Sequence, residues 1–456
     1  MDFDVAVIGG GSAGYASAST AQALGARVAI IDPGPLGGLC ILQGCMPTKT
    51  ILRSSEIMAL MRRAEEFGIQ PVDPRASLSA INDRKNKLIK EFADYRIQQL
   101  NDQRFTLIQE KAEFISPYEI RTGNQTLKAK SFVIATGSVV SNFPIPGLNE
   151  IGFLTSDDIL RMREAPESII VLGAGAVAVE LAQFLLRIGV KVTLLQRSRH
   201  ILSQCDEDLA RPVENRLREE GMTLFTETRI LRAEKEVEGS TVYFQHDGEE
   251  KRATARYILQ ALGRTPNSKG LLLETAGVKT HKGRITVDAK MKTSQPHIFA
   301  VGDVNGIHEV VHIAIQQGEV AGYNAVKLES EREVDDRLKA SVVFSDPAVA
   351  SVGLNEKECL ASNIAYLAAS YPFNDHGKSM CLGETHGHVK LLCDPISGEI
   401  MGGHIVGPEA GELIHELITL MHFRGTVKDL MKIPHYHPTL AEILTYPAEE
   451  LLEQLK

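Results

Sequence analysis

Phe3-Asp4-Val5-Ala6-Val7-Ile8 runs directly into Gly9-Gly10-Gly11-Ser12-Ala13-Gly14, and the fold is decided at that join. The first six residues are short, apolar and β-branched, the pattern of a strand buried in a parallel sheet. The glycines follow G-x-G-x-x-G. The first permits a tight turn, the second lets backbone approach a pyrophosphate, and the third lets the following helix pack closely. A small-residue helix to about Gly25 and a second apolar run, Val28–Ile31, complete a βαβ unit, with Asp32 at the end of the second strand. The helix start offers amides and a positive dipole end to phosphates, and Asp32 suits a ribose diol. A structural turn with no ligand is the competing reading; the strand, helix and acid around the glycines count against it.

Working outward, residues 46–66 read as an amphipathic helix, 77–103 as a long polar one, and 105–136 as short strands closing on Ala135-Thr136-Gly137-Ser138. Pro144, Pro146 and Gly147 mark a boundary. A second βαβ unit follows, with strand Ile169–Leu172, the turn Gly173-x-Gly175-x-x-Ala178, a helix over 176–188 and strand Val190–Leu195. Its second strand ends in Gln196-Arg197-Ser198-Arg199 rather than in an acid. An acid would bind a 2′-hydroxyl and repel a 2′-phosphate, whereas arginine attracts the phosphate, so this turn leans toward NADPH over NADH. Phe299-Ala300-Val301-Gly302-Asp303 is a third glycine site before a helix at about 311–326. The charged stretch 329–339 reads as a linker or exposed face, and the last 115 or so residues as a separate α+β domain. The fold class is α/β, with two Rossmann-like nucleotide-binding domains and a C-terminal α+β domain. The expected segments are 1–147, 148–266, 267–338 and 339–456.

Gly37-Gly38-Leu39-Cys40-Ile41-Leu42-Gln43-Gly44-Cys45-Met46-Pro47-Thr48-Lys49 carries two of the six cysteines. Cysteines five apart on a regular helix have Cα atoms roughly 8–9 Å apart, and a disulfide needs about 4.4–6.8 Å. A bonded pair therefore requires a distorted segment, which Gly37, Gly38, Gly44 and Pro47 permit. At a helix start the dipole favours a thiolate, and Lys49 adds a cation one turn on. Zinc is the weaker alternative, because no second Cys pair or nearby His completes four ligands at the usual spacing. Near the C-terminus, His435-x-His437-Pro438-Thr439-x-x-Glu442 offers an imidazole and a carboxylate, the parts of an oriented general acid–base, with Pro438 expected in the first turn of a helix. A surface hydrogen-bonded pair is the plainer reading of that motif. His404, His415 and His422 read as structural or exposed.

Composition excludes several classes. The 456 residues, 43% apolar and 23% charged, suit two to four globular domains and neither a disordered nor a fibrous chain. A net charge of −9 argues against a nucleic-acid partner. Six cysteines make no disulfide scaffold, and Cys205, Cys359, Cys381 and Cys393 read as buried or free thiols. No apolar run reaches the ~18 residues of a membrane span, and the N-terminus lacks a signal-peptide pattern. The expectation is a cytoplasmic protein with no membrane association and no structural metal.

With these elements in this order, the chain resembles the FAD-dependent pyridine nucleotide–disulfide oxidoreductases, a class that includes dihydrolipoamide dehydrogenase, glutathione reductase and the core of mercuric reductase. Gly37–Lys49, His435–Glu442, Ala135-Thr136-Gly137 and Thr293–Asp303 carry the resemblance. The segments 344–353 (FSDPAVASVG) and 402–414 (GGHIVGPEAGELI) look most like dihydrolipoamide dehydrogenase and mercuric reductase. The resemblance implies FAD at Gly9, Gly11, Ser12, Ala13, Gly14, Asp32, Gly38, Lys49, Thr136, Gly137 and Asp303. It implies a nicotinamide nucleotide at Gly173, Gly175, Glu180, Arg197 and Gly263. Cys40 then exchanges with substrate, Cys45 faces the flavin as its thiolate partner, and Lys49 pairs with Glu180. His437, held by Glu442, reaches the site from the other subunit, which implies a homodimer. The implied activity is two-electron transfer between NAD(P)(H) and a dithiol or disulfide, with free or protein-bound dihydrolipoyl groups as the leading substrate. An NADPH-dependent reductase of another small disulfide is the alternative, and a catalytically silent flavoprotein component a third reading. Two departures stand out: Leu39 replaces the more usual Thr, and Gln196 replaces the acid of NAD-dependent relatives. No Cys follows Cys393, which counts against mercury reduction.

Overall fold

A parallel sheet with an antiparallel extension organises the first part of the molecule. The computed structural model describes residues 1–327 and 329–455, and these form two units. The first unit gathers Met1–Thr48, Asp83–Asn142 and Gly263–Asp335. The elements of the chain up to residue 140 are β1 (Phe3–Ile8), α1 (Ser12–Ala23), β2 (Val28–Ile31), α2 (Gly38–Leu42), α3 (Cys45–Arg62, from Lys49 assigned to the second unit), α4 (Leu78–Leu100, from Asp83 assigned to the first), β3 (Phe105–Ile108), β4 (Ala112–Ser116), β5 (Glu119–Thr122), β6 (Gln125–Ile134) and β7 (Ser138–Val140). The strand order is β3-β2-β1-β6-β5-β4, and the later strand Ile298–Ala300 also pairs with β6. Parallel register sets Val7 beside Ile30 and Val133, and Phe299 beside Val133. Both faces of β1 are buried: Val5 and Val7 pack with α1 and Phe299, while Ala6 and Ile8 pack with Phe114, Phe132 and Ile298. That two-sided burial is why β1 reads as continuously apolar.

The second unit gathers Lys49–Asn82, Phe143–Leu262 and the chain from Asp336 onward. A parallel sheet runs in the order 223–225, 191–195, 168–172, 257–260, around the fully buried helix residues Val179, Leu181, Phe184 and Leu185. Three antiparallel strands lie between 229 and 255. A five-stranded antiparallel sheet of residues 340–407 packs with the helices Ala410–His422 and Thr445–Gln454.

The boundaries differ from the sequence reading in two places. The helix expected over 46–66 ends at Arg62, and a short 3-10 turn, Ala64–Phe67, follows it. The charged stretch after 329 is tied to the first unit: Glu331 pairs with Lys290 and Lys292, Arg332 lies over the Tyr323 ring, and the Val334 amide donates to the Ala289 carbonyl. A run of charges reads as solvated only while its partners, here 40 or so residues upstream, are unknown. Among the described residues no helix is long and apolar enough to cross a membrane.

Candidate functional site

The glycine turn of the first unit is built by close backbone approach. Gly9 has φ +107°, and a Cβ there would stand 2.4 Å from the Ala135 carbonyl oxygen. A Cβ on Gly14 would lie 1.8 Å from the Gly9 oxygen, which explains the third glycine. Gly11 precedes α1 and supplies no side-chain cap, so the first-turn amides at Ser12, Ala13 and Gly14 are offered to a ligand. The Asp32 carboxylate accepts the Gly10 amide at 2.6 Å and the Gly34 amide at 2.7 Å. It therefore braces both flanking loops, and each oxygen retains capacity for a ribose hydroxyl. The segment that leads to Cys40 packs on the turn: a Cβ on Gly38 (φ +77°) would come within 2.7 Å of the Gly11 Cα.

Asp303 follows the strand Ile298–Ala300 and accepts from the Ser138 hydroxyl at 2.6 Å. Arg264 donates to both the Ser138 hydroxyl and its carbonyl at 2.7 Å. The Thr136 hydroxyl donates to the Asn267 carbonyl at 2.7 Å, and Gly137 takes φ +68°. Burial, and next the negative charge of Asp303, push the Glu309 carboxyl above its ordinary range. The sequence reading missed Ser138, Arg264 and Glu309. Only the place of Ser138 directly after Gly137 hinted at it, and Arg264 arrives from 126 residues away. The turn lined by bare backbone, the uncapped twelve-residue helix and the carboxylates of Asp32 and Asp303 form a donor and acceptor set that fits a dinucleotide such as FAD.

Cys40 and Cys45 do not share a helix. Cys40 lies in α2, the chain breaks at Gln43-Gly44, and Cys45 opens α3. The break is sterically required, since a Cβ on Gly44 would meet the Leu39 oxygen at 2.9 Å and the Cys40 Cα at 3.0 Å. This is the distortion that a five-residue spacing demands. Both sulfur-bearing residues are half-buried. Cys45 occupies the first residue of an 18-residue helix, where the dipole favours a thiolate. Of the other cysteines, Cys359 and Cys393 are buried thiols, Cys205 is half-buried and Cys381 exposed. Burial pushes the Cys205 and Cys393 thiols up to about 11, the range of inert thiols.

Lys49 and Glu180 belong to the second unit. Lys49 Nζ donates to both Glu180 carboxylate oxygens, at 3.0 and 2.7 Å. Glu180 is buried and also accepts the Phe344 amide at 2.9 Å, while the ammonium stands 4.5 Å from the Phe344 ring centre. The second glycine turn has Gly173 at φ +96°, where a Cβ would stand 2.7 Å from the Ala261 oxygen. Gly175 precedes the helix Ala176–Arg187 without a side-chain cap, and Ala178 is fully buried. Gln196 is buried, and its amide donates to the His200 carbonyl at 3.3 Å. Arg197 is exposed, and Arg199 lies 3.5 Å from Glu207. Gly263 falls in the first unit, where its carbonyl accepts the Ser141 amide.

His437 Nδ1 meets the Glu442 carboxylate at 2.9 Å. Glu442 also accepts the Thr439 amide at 2.7 Å. That backbone bond, with the bond to His437 next, holds its carboxyl below the usual range. Pro438 does not sit in the first turn of a helix as expected. It precedes the cap residue Thr439, in a cis peptide bond with His437, and the short 3-10 helix begins at Leu440. Thr-x-x-Glu is itself a capping pattern, and that shifts the helix start past the proline. The His437 side chain is 83% exposed and that of Glu442 20%, so the imidazole is fixed at one nitrogen and presented outward at the other. The neighbouring His435 instead bonds Glu416 at 2.9 Å, with its side chain 8% exposed.

The geometry defines a flavoprotein disulfide oxidoreductase: two nucleotide turns, a cysteine pair at a helix start and a carboxylate-held histidine. The family described as pyridine nucleotide-disulphide oxidoreductase matches residues 3–318, and its dimerisation domain matches residues 339–448. A dihydrolipoyl dehydrogenase of Geobacillus stearothermophilus is 33% identical over 458 residues, covering 99% of this chain and 97% of its own. A mercuric reductase of Staphylococcus aureus is 32% identical over 449 residues, covering 98% of this chain and 82% of its own. Among solved structures, LpdA from Mycobacterium tuberculosis superposes with a TM-score of 0.88 at 27% identity, over 98% of this chain and 99% of its own. The HOCl-induced flavoprotein disulfide reductase RclA from Escherichia coli superposes with a TM-score of 0.86 at 25% identity, over 98% and 99%. The chain belongs to the class I pyridine nucleotide–disulfide oxidoreductases. Its cofactors are FAD and NAD(P), and its dimerisation domain marks it as a homodimer.

Proposed function

We propose that this enzyme moves two electrons between NAD(P)(H) and a dithiol/disulfide through Cys40 and Cys45, with dihydrolipoyl groups as its leading substrate. The observation that supports it most is the break at Gly44, which gives Cys40 a short helix of its own and puts Cys45 at the start of α3. FAD bound at the first glycine turn supplies two-electron exchange with the nicotinamide. Gly9, Gly11, Ser12, Ala13, Gly14, Gly38, Thr136, Gly137, Asp32, Lys49 and Asp303 would hold it. Gly173, Gly175, Glu180, Arg197 and Gly263 would hold the nicotinamide nucleotide.

In the reducing direction the Cys40 thiolate attacks one sulfur of the substrate disulfide, forming a mixed disulfide and expelling the other sulfur as a thiolate. His437 protonates that leaving thiolate, and Glu442 stabilises the imidazolium and holds its orientation. Cys45 then attacks Cys40 in the mixed disulfide. This releases the second substrate thiolate, which takes up the second proton, and closes a Cys40–Cys45 disulfide. The reverse sequence oxidises a dihydrolipoyl group. In the homodimer the dyad serves the partner subunit's site. The reactive pair suits a reducing cytoplasm.

Anaerobic reduction with two electrons per subunit tests the roles: long-wavelength absorbance of a thiolate beside oxidised flavin is expected, and the same band in Cys45→Ser would overturn the assignment. Lipoamide, lipoylated carrier protein and glutathione disulfide, each assayed with both nucleotides, test the substrate. A second reading, an NADPH-dependent reductase of another small disulfide, is favoured by one feature: the buried Gln196 and exposed Arg197 stand where an acid would select NADH. Equal kcat/KM for NADPH and NADH, unchanged in Arg197→Ala, would remove that argument.

A further inference from the structure

Arg96 stands on α4 with its guanidinium 4.4 Å from the Tyr15 ring centre. It forms no ion pair among the described residues, and its Nε is buried without a hydrogen-bond partner. One turn on, the Gln99 side-chain oxygen is likewise buried and unbonded. Other enclosed guanidiniums among the described residues are neutralised, buried Arg187 by Glu220 and Asp346 and half-buried Arg63 by Glu66 and Glu384. Arg96 rests on an aromatic face alone.

One close contact and two short stretches of chain relate this cation to Cys40. Tyr15 is one turn into α1 from Gly11. Gly11 touches Gly38, the first residue of α2, so closely that no side chain fits between them. Cys40 is two residues beyond Gly38. The C-terminal end of α4 also reaches the same turn, since Leu100 lies 3.5 Å from where a Gly10 Cβ would be. Burial lowers the Arg96 pKa from its ordinary value, and the charges of Tyr15, Cys40 and Tyr95 oppose that shift.

We propose that Arg96 is a specificity residue of the Cys40 site: its guanidinium, held over Tyr15 with no carboxylate to neutralise it, favours disulfides that carry a carboxylate near the sulfur–sulfur bond over neutral ones. The proposal rests on the reading of Cys40 as the exchanging thiol. A guanidinium is suited to this task because it stays charged when half-buried and can bind a carboxylate through two N–H groups. A neutral side chain would bind both classes of substrate equally, so the discrimination comes from the charge.

The test separates this proposal from the activity itself. In the reduced, FAD-loaded protein, Cys40 is alkylated with iodoacetate and, in parallel, with iodoacetamide, and its peptide is followed by mass spectrometry. The two reagents form the same sulfur–carbon bond and expel iodide, and they differ in one negative charge. Relative to wild type, Arg96→Met is expected to lower the iodoacetate-to-iodoacetamide rate ratio about three- to tenfold, the size of one partly screened charge contact. Arg96→Lys is expected to retain most of it, and rising salt to flatten the wild-type ratio toward that of Arg96→Met. In turnover, Arg96→Met should lose kcat/KM about three- to tenfold for 2,2′-dithiodiacetate, whose carboxylates lie one carbon from sulfur, while keeping it for the neutral bis(2-hydroxyethyl) disulfide. An unchanged ratio in Arg96→Met, or a wild-type ratio insensitive to salt, overturns the proposal even if every disulfide is turned over. A shifted ratio in a protein that reduces no disulfide supports Arg96 and leaves only the substrate reading overturned.

Discussion

Replacing Glu180 with Gln should destabilise the second unit by about 2–3 kcal/mol, and replacing it with Ala by about 4 kcal/mol. Glu180 is 2% exposed and makes three contacts, two from Lys49 Nζ and one from the Phe344 amide. Gln keeps an oxygen for the amide and, within a hydrogen bond of Lys49, retains the shape of the side chain. The loss is then confined to the ionic part of the pair. Removing one partner of a fully buried pair costs about 3–5 kcal/mol. The Lys49 side chain is 32% exposed, so water recovers part of its solvation and the lower figure applies. Ala additionally removes the acceptor of the part-buried Phe344 N–H, worth about 1 kcal/mol. At roughly 2 °C per kcal/mol for a domain of this size, the unfolding midpoint should fall by about 5 °C for Gln and about 8 °C for Ala. Lys49→Met supplies the second leg of a double-mutant cycle, read by differential scanning fluorimetry on the FAD-loaded protein. A coupling of at least 1 kcal/mol between Lys49→Met and Glu180→Gln is expected. Strict additivity, or equal midpoints for Gln and Ala, would refute the reasoning, because either result means that Glu180 does not hold Lys49 and Phe344 together.

Gly38→Ala places a methyl 2.7 Å from the Gly11 Cα, on a backbone at φ +77°; its purified protein should carry less than half the wild-type flavin per subunit by absorbance, and full occupancy would contradict the packing argument. His437→Gln should lower disulfide turnover about 10²–10⁴-fold with an almost unchanged unfolding midpoint, since that side chain is 83% exposed. A large loss of stability would mean that the imidazole is structural. Lys390, 4% exposed, meets Asp206, Asp208 and Glu356 at 2.8–2.9 Å. Although burial opposes it, the bonds from His388 and Lys390 hold Asp208 below the carboxylate range, those from Lys390 do the same for Asp206, and the three carboxylates hold Lys390 above the lysine range. The depressed acids stabilise the fold above their unfolded values near 4 and lose that contribution as pH falls through the folded ones. The raised lysine stabilises it below about 10.5 and loses that contribution as pH rises through its folded value. Lys390→Met should therefore cost about 3–5 kcal/mol at pH 7 and flatten the decline of the midpoint between pH 4 and 2. An equally steep acid limb in the variant would show that other carboxylates set it.

What could be read from the chain alone depended on how local each signal was. The glycine turn after β1, the break between Cys40 and Cys45 and the uncapped helix starts are decided within a dozen residues, because bond geometry and Cβ sterics act at that range. Pro438 was misread although it is local. Its motif supports two helix starts two residues apart, and the Glu442–Thr439 backbone bond chooses between them. Non-local partnerships left little trace. Glu180 as an isolated acid in an apolar helix gives no sign of Phe344, 164 residues on, and Arg264 gives none of Ser138, 126 residues back. Arg96 sits in a helix whose charges all look solvated in sequence; only the fold shows its guanidinium over the Tyr15 ring with Nε buried and unbonded. The parts of the site that hold a cofactor common to many enzymes are built from short-range backbone constraints and were legible. The part that would choose among disulfides depends on side chains that the fold brings together from separate helices. Substrate choice was therefore the last feature to emerge, and it is the one on which a single change at residue 96 should act.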